Sequence, residues 1–196
     1  MNPTGGIGLG KKEKKLTVYL AGGMEKEKSL GAGWRDLITP KLQSYDLEVL
    51  NPCEFEPLQL KGFRPDILPA TIETEIGEII KPSHWHDLKR ARWDSKHYQR
   101  FRVLMQRVED FDCNVVENTD YIIVHWTEGA ARGAGTHGES TLARRLRKTV
   151  WLVVDPKIDM PGWIHGCHTK IFRNFDELFT YLDEFFGVNA EKEGNK

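Results

Sequence analysis

The sequence is poor in cysteine. Only Cys53, Cys113 and Cys167 occur in 196 residues, an odd number set far apart. That argues against a disulfide framework and fits a reducing, cytoplasmic setting. An excess of charge of either sign is also missing: 28 basic residues face 29 acidic ones, for a net charge of -1. No global electrostatic drive toward nucleic acid or an anionic membrane follows from that balance. No apolar run approaches the ~20 residues of a bilayer span, so no membrane partner is expected. There is no internal repeat. Apolar residues make up 39% of the chain and charged residues 29%, a composition that can bury a real core.

Residues 1–15 are rich in glycine and lysine and lack an apolar segment, so they read as a flexible arm and not as a secretory signal. Gly6-Ile7-Gly8-Leu9-Gly10 looks like half of a dinucleotide fingerprint. No strand precedes it, and a nucleotide cofactor is not expected on its account. Residues 16–187 read as a single α/β domain, and 188–196 as a loose tail. The strand signals are residues 16–21, 47–50, 120–126, 149–154 and 169–172. Three of these are nearly continuous apolar runs, the pattern of parallel strands covered on both faces.

Helices are expected after each strand. The first has Ser29 as N-cap, an apolar face of Trp34, Leu37 and Ile38, and Leu42 beyond a kink at Pro40. Residues 136–147 and 174–186 read as the later helices, and 127–135 as a loop. Residues 53–111 exceed the needs of a minimal fold and form a partly helical insertion, irregular through 53–85 and helical from about 86 to 117, as one long helix or two. The fold class is therefore α/β, a single Rossmann-like or flavodoxin-like parallel sheet with helices on both faces. Ligands of such sheets bind at the carboxyl ends of the strands, which directs attention to loops 21–29, 51–54, 127–139 and 155–168.

The segment Gly133-Ala134-Gly135-Thr136-His137-Gly138-Glu139-Ser140 follows the strongest strand and opens a helix. Its glycines allow close backbone approach to a ligand, and a helix N-terminus favours negative charge. Glu139 has two readings. It is a carboxylate in the first turn, kept ionised by the helix dipole and aimed at the sheet edge, or it is the capping-box partner of Thr136.

Tyr19-Leu20-Ala21-Gly22, Trp34-Arg35, Leu50-Asn51-Pro52, Asp112 with Asp120, and Gly135-Thr136-x-x-Glu139 occur in the order seen in nucleoside 2-deoxyribosyltransferase-like proteins, a superfamily that includes nucleoside-monophosphate N-glycosidases. The resemblance spans roughly residues 16–155. Gly-x-Gly-Thr-x-x-Glu is also similar to the phosphoribohydrolases labelled lysine decarboxylase-like. Both resemblances imply cleavage at the sugar C1′. They imply Glu139 as the nucleophile, Asp112 as the acid serving the leaving base, and Tyr19 as the residue orienting Glu139. Gly22, Gly23, Asn51, Gly133, Gly135, Thr136, His137 and Ser140 are then the candidate substrate-binding positions, with Lys26, Lys28, Arg132 and Ser140 available to a 5′-phosphate. The implied partner is a small nucleoside or nucleotide, and the implied assembly a homo-oligomer whose neighbour completes the pocket.

Other readings stand beside this one. Asp120 suits a structural role at the strand start, Trp34 a core position, and His125 a buried core position. Trp85, Arg90, Arg92, Trp93, His97, Tyr98, Arg100 and Arg102 interleave aromatic and basic groups, as a lid, a dimer contact, a nucleic-acid surface or a solvated helix would. Neither His84-x-His86 nor His165-Gly166-Cys167-His168 matches a zinc spacing, so no metal is assigned. The alternative functions are a non-catalytic nucleotide-binding or sensing module, and a nucleic-acid-associated protein using the basic aromatic stretch 85–107.

Overall fold

The computed structural model describes residues 14–25, 27–54 and 68–188. Most of the glycine-rich arm, Lys26, residues 55–67 of the insertion and residues 189–196 lie outside the described residues. Five strands form one parallel sheet: β1 (Thr17–Gly22), β2 (Glu48–Leu50), β5 (Tyr121–Trp126), β6 (Thr149–Val154) and β7 (Lys170–Phe172). Their order is β2-β1-β5-β6-β7, and every neighbouring pair is parallel. A separate two-residue hairpin, β3 (Ile72–Glu73) with β4 (Ile79–Ile80), belongs to the insertion. The chain leaves β1 toward β2 and returns to β5 on the other side. The carboxyl ends of β1 and β5 therefore mark the topological switch, where the connecting loops part to leave a crevice.

The alternation of strand side chains decides what packs where. Val18, Leu20, Ile123, Trp151 and Val153 point to one face, covered by α1 (Ala32–Gln43) and α6 (Phe175–Phe185) through Ile38, Leu42, Leu178 and Leu182. Tyr19, Ala21, Ile122, Val124, Val150 and Leu152 point to the other. That face is covered by α2 (Lys96–Asn118), α3 (Glu128–Arg132), α4 (Gly135–Arg145) and α5 (Gly162–His165), through Val116, Ala130, Ala143 and Ile164. Each buried aliphatic side chain contributes about 1.5–3 kcal/mol, so two such layers account for the bulk of the stabilisation. The aromatic terminal helix packs on the sheet, with Phe175 and Phe179 against the first layer.

Several local expectations are corrected. Ser29 does not cap α1. Ser29, Leu30 and Gly31 all adopt left-handed backbone, at φ of 50°, 56° and 70°, and Gly31 occupies the N-cap position without a side-chain cap. Leu37 is 73% exposed, and Arg35 takes the buried place beside Ile38 and Leu42. Pro40 lies inside α1, which continues to Gln43. The helical stretch expected from residue 86 divides: a 3-10 turn spans Trp85–Arg90, and α2 begins only at Lys96, capped by Ser95 Oγ, which accepts from Tyr98 N at 3.2 Å. The expected loop after β5 contains the short helix α3, capped by Thr127 Oγ1, which accepts from Ala130 N at 3.1 Å.

Asp120 sits at the opposite end of the sheet from the crevice. Its Oδ2 accepts from Thr17 N at 2.8 Å and Thr17 Oγ1 at 2.9 Å, tying the starts of β1 and β5. His125 is wedged between Trp34 and Phe175, each ring centroid 5.0 Å away. Burial pushes its pKa down to about 4, and its Nδ1 has no partner among the described residues.

Candidate active site

The carboxyl ends of β1 and β5 open into a cavity of about 150 Å³. Its floor starts from β1. Because Tyr19 shares a face with Ala21, its ring descends among the α2 and α4 packing residues and is 1% exposed. The Tyr19 hydroxyl donates to Glu139 Oε1 at 2.6 Å. Glu139 lies in the second turn of α4, one turn beyond Gly135 and Thr136, and lines the cavity together with them. On α2, Met105, Val108 and Asp112 also line it; their i, i+3, i+7 spacing forms a single helical stripe. Glu139 and Asp112 therefore reach one hollow from two helices on the same face of the sheet.

Electrostatics follows from that confinement. The Glu139 pKa is raised to about 7, chiefly by burial and next by the charge of Asp112, against the opposing pull of the Tyr19 hydrogen bond and Arg35. The dipole-based expectation of a firmly ionised carboxylate thus meets an opposing effect, since removal from water favours the neutral carboxyl. The capping-box reading is corrected. Ala134 holds the N-cap position of α4 with no side-chain cap, and the Glu139 carboxylate turns to Tyr19. Burial and the two carboxylates together push the Tyr19 hydroxyl well above its usual range, so it remains a donor.

The rim depends on close backbone packing between the β1 and β5 loops. A Cβ on Gly23 would come within 2.7 Å of Ala130 N, and one on Gly22 within 3.0 Å of the Trp34 ring. Glu27 reaches across to accept from the Thr127 hydroxyl, and its side chain occupies the space that a Cβ on Gly129 would need. Beneath the loop lies Arg35, 0% exposed. It donates to the carbonyls of Leu20 (3.1 Å), Gly22 (3.1 Å), Gly31 (3.0 Å) and Leu30 (3.3 Å). One guanidinium thus satisfies the end of β1 and the left-handed turn at once, holding Leu30 at the cavity mouth.

Of the residues singled out in the sequence, Gly22, Gly23, Asp112, Gly133, Gly135, Thr136 and Glu139 line the cavity. Tyr19 stands directly behind it. Asn51, His137 and Ser140 are not among the lining residues. Asn51 is 4% exposed and accepts from Cys53 N at 3.1 Å, shaping the turn that presents Pro52. His137 packs on Trp126, ring centroids 5.0 Å apart. Ser140 is 0% exposed, on the side of α4 that faces the core. Loop 155–168 lines a different, shallow hollow with Ile158, Met160 and His165. Among the described residues, no group of three or more His, Cys, Asp or Glu side chains is arranged to hold a metal ion.

The cavity also takes Met24, Glu25 and Leu30 from the first loop and Trp85 and His86 from the insertion; the sequence pointed to loop 21–29, and to Trp85 as one of an aromatic and basic set, without assigning these side chains to the site. Trp85 stood out only within the aromatic and basic set and His86 only within His84-x-His86; neither pattern marks a cavity position, because both residues stand in an irregular turn. The charges of the neighbouring basic residues are compensated locally: Arg90 pairs with Glu78, and Arg92 with Glu73 and Asp94. No helix among the described residues is long and apolar enough to cross a membrane. No protein-family model matches the chain, and no curated protein matches it either.

Proposed function

We propose that the protein cleaves or transfers at the N-glycosidic bond of a nucleoside, or of its 5′-monophosphate, through a covalent glycosyl ester on Glu139. The observation that carries this reading is the 2.6 Å Tyr19–Glu139 hydrogen bond at the base of a cavity that Asp112 also lines. A nucleophilic carboxylate must be aimed, and Tyr19 fixes one of its oxygens while leaving the other for C1′. A departing base needs a proton, and a second carboxyl in the same hollow supplies it. Two carboxyls so confined hold one proton between them more readily than two charges, which separates a donor from an attacker near neutral pH.

In the first step the Glu139 oxygen bonds to C1′ as the C1′–N bond breaks, and Asp112 gives its proton to the leaving base. In the second, water or an acceptor base attacks C1′, the ester bond breaks, and Asp112 takes up the acceptor's proton. Gly133, Gly135 and Thr136 bring the N-terminus of α4 to the cavity. Its first N–H groups have no intrahelical acceptor and suit the oxygens of a sugar or a 5′-phosphate.

The test is a panel of ribo- and deoxyribonucleosides and their 5′-monophosphates, each incubated with and without a free acceptor base and resolved by HPLC. Free base released regardless of acceptor identifies a hydrolase. A new nucleoside formed only with acceptor identifies a transferase. Glu139→Ala is expected to abolish both. Undiminished turnover in that variant, or no turnover of any substrate by the wild type, overturns the proposal.

A further inference from the structure

Part of the cavity lining comes from the insertion and not from the sheet. The 3-10 turn Trp85–Arg90 presents Trp85 and His86, stacked with ring centroids 3.5 Å apart and planes at 30°. Trp85 is 4% exposed and backed by Phe101 at 6.0 Å, while His86 is only partly buried. The turn is locked from below. Asp87 Oδ2 accepts from Ser83 N (2.7 Å), Ser83 Oγ (2.9 Å) and His84 N (3.0 Å). Leu88 anchors it in a small core with Ile72 and Ala91. Lys89 pairs with Glu25, joining the turn to the loop after β1 at the rim of the same cavity. A braced aromatic pair thus lines the same cavity as an apolar stripe, Val108 and Met105, that runs along α2 away from Asp112. Seven residues of helix span ~10 Å, room for a heterocyclic ring system beyond the carboxyl.

We infer that the insertion is the base-selectivity element: the Trp85–His86 pair, held in place by Asp87, packs against the heterocycle whose leaving nitrogen Asp112 serves. Planar heterocycles stack well on aromatic faces, and the His86 ring nitrogens add a polar edge that distinguishes one base from another. This inference rests on the glycosidic reading for the identity of the ligand, and deepens it.

The test uses the full chain and free adenine, hypoxanthine, cytosine and thymine. Affinity is measured by titration calorimetry and kcat/KM by turnover of the matching deoxynucleosides, with thermal melting to establish that each variant folds. His86→Ala is expected to weaken the preferred base about tenfold and to change the ratio of kcat/KM between bases. His86→Phe keeps a stacking ring and is expected to recover most of the affinity while leaving the ratio altered. Base affinities and ratios within about twofold of wild type in both folded variants overturn the inference even where nucleosides are cleaved. Free bases that bind and respond to His86→Ala, with no nucleoside turned over, uphold the selectivity wall and sink the glycosidic reading alone.

Discussion

Tyr19, in the middle of the first strand, hydrogen-bonds at 2.6 Å to Glu139, 120 positions later in the second turn of α4. The contact exists because the two-residue alternation of β1 sends Tyr19 to the α4 face of the sheet. It opposes the burial that raises the Glu139 pKa. Tyr19→Phe removes a hydrogen bond that both aims the carboxylate and favours its charge. Because a hydrogen bond to a charged group is worth ~1.5–3 kcal/mol, turnover should fall about 10- to 150-fold. The acidic limb of the pH–rate profile should move upward from near 7. A profile that stays in place would show that the hydroxyl does not act on Glu139.

Asp112 acts on the same group with the opposite sign. Its charge raises the Glu139 pKa, so Asp112→Asn should move the acidic limb downward. The same change removes the proposed proton donor, and turnover should fall ~10²- to 10⁴-fold. Substrates whose base departs without protonation should be spared most of that loss. Equal losses on good and poor leaving groups would deny Asp112 the acid role.

The raised pKa of Glu139 is also a statement about stability. The folded protein binds this proton more tightly than the unfolded chain, whose carboxyl titrates near 4.5. The stabilisation is fully present below about 4.5 and is lost as the pH rises through about 7. Urea unfolding of wild type and Glu139→Gln from pH 4.5 to 8 should diverge, with the Gln variant gaining up to about 3 kcal/mol relative to wild type over that window. Parallel stability curves would mean that the carboxylate is not confined as described.

Arg35 holds four carbonyls from within the core. Arg35→Met fills much of the volume but removes all four of these hydrogen bonds, leaving the Leu30 carbonyl only the weak Cys53 Sγ donor at 3.4 Å. A loss of about 3 kcal/mol or more is expected, seen as a drop in Tm of about 10 °C. Substrate KM should rise with it, because Leu30 borders the cavity.

The sheet was legible because apolar strand runs and helical spacings are local signals that the whole fold reinforces. Residues 121–126 and 149–154 pair along their full length at the centre of the sheet. The cap of α1 was not legible, because Arg35 organises that turn through carbonyls that no spacing rule reveals. Glu139 stood out from its glycine-rich setting, but its charge state did not, since burial is a property of the assembled helices. Ser140 was misplaced because neighbours along a helix diverge by 100°, which sent it into the core while Glu139 met the cavity. Trp85 and His86 lie where proline and loop residues erase any periodicity, so only the folded insertion brings them to the site.

The proposed reaction requires a covalent bond between Glu139 and the sugar. A 2-deoxy-2-fluoro-arabinosyl nucleoside slows the second step more than the first, so the ester should accumulate. Intact-mass spectrometry should then show one added fluoroglycosyl group, peptide mapping should place it on Glu139, and Glu139→Gln should show none. Release of base without any adduct, or an adduct on another residue, would contradict the account.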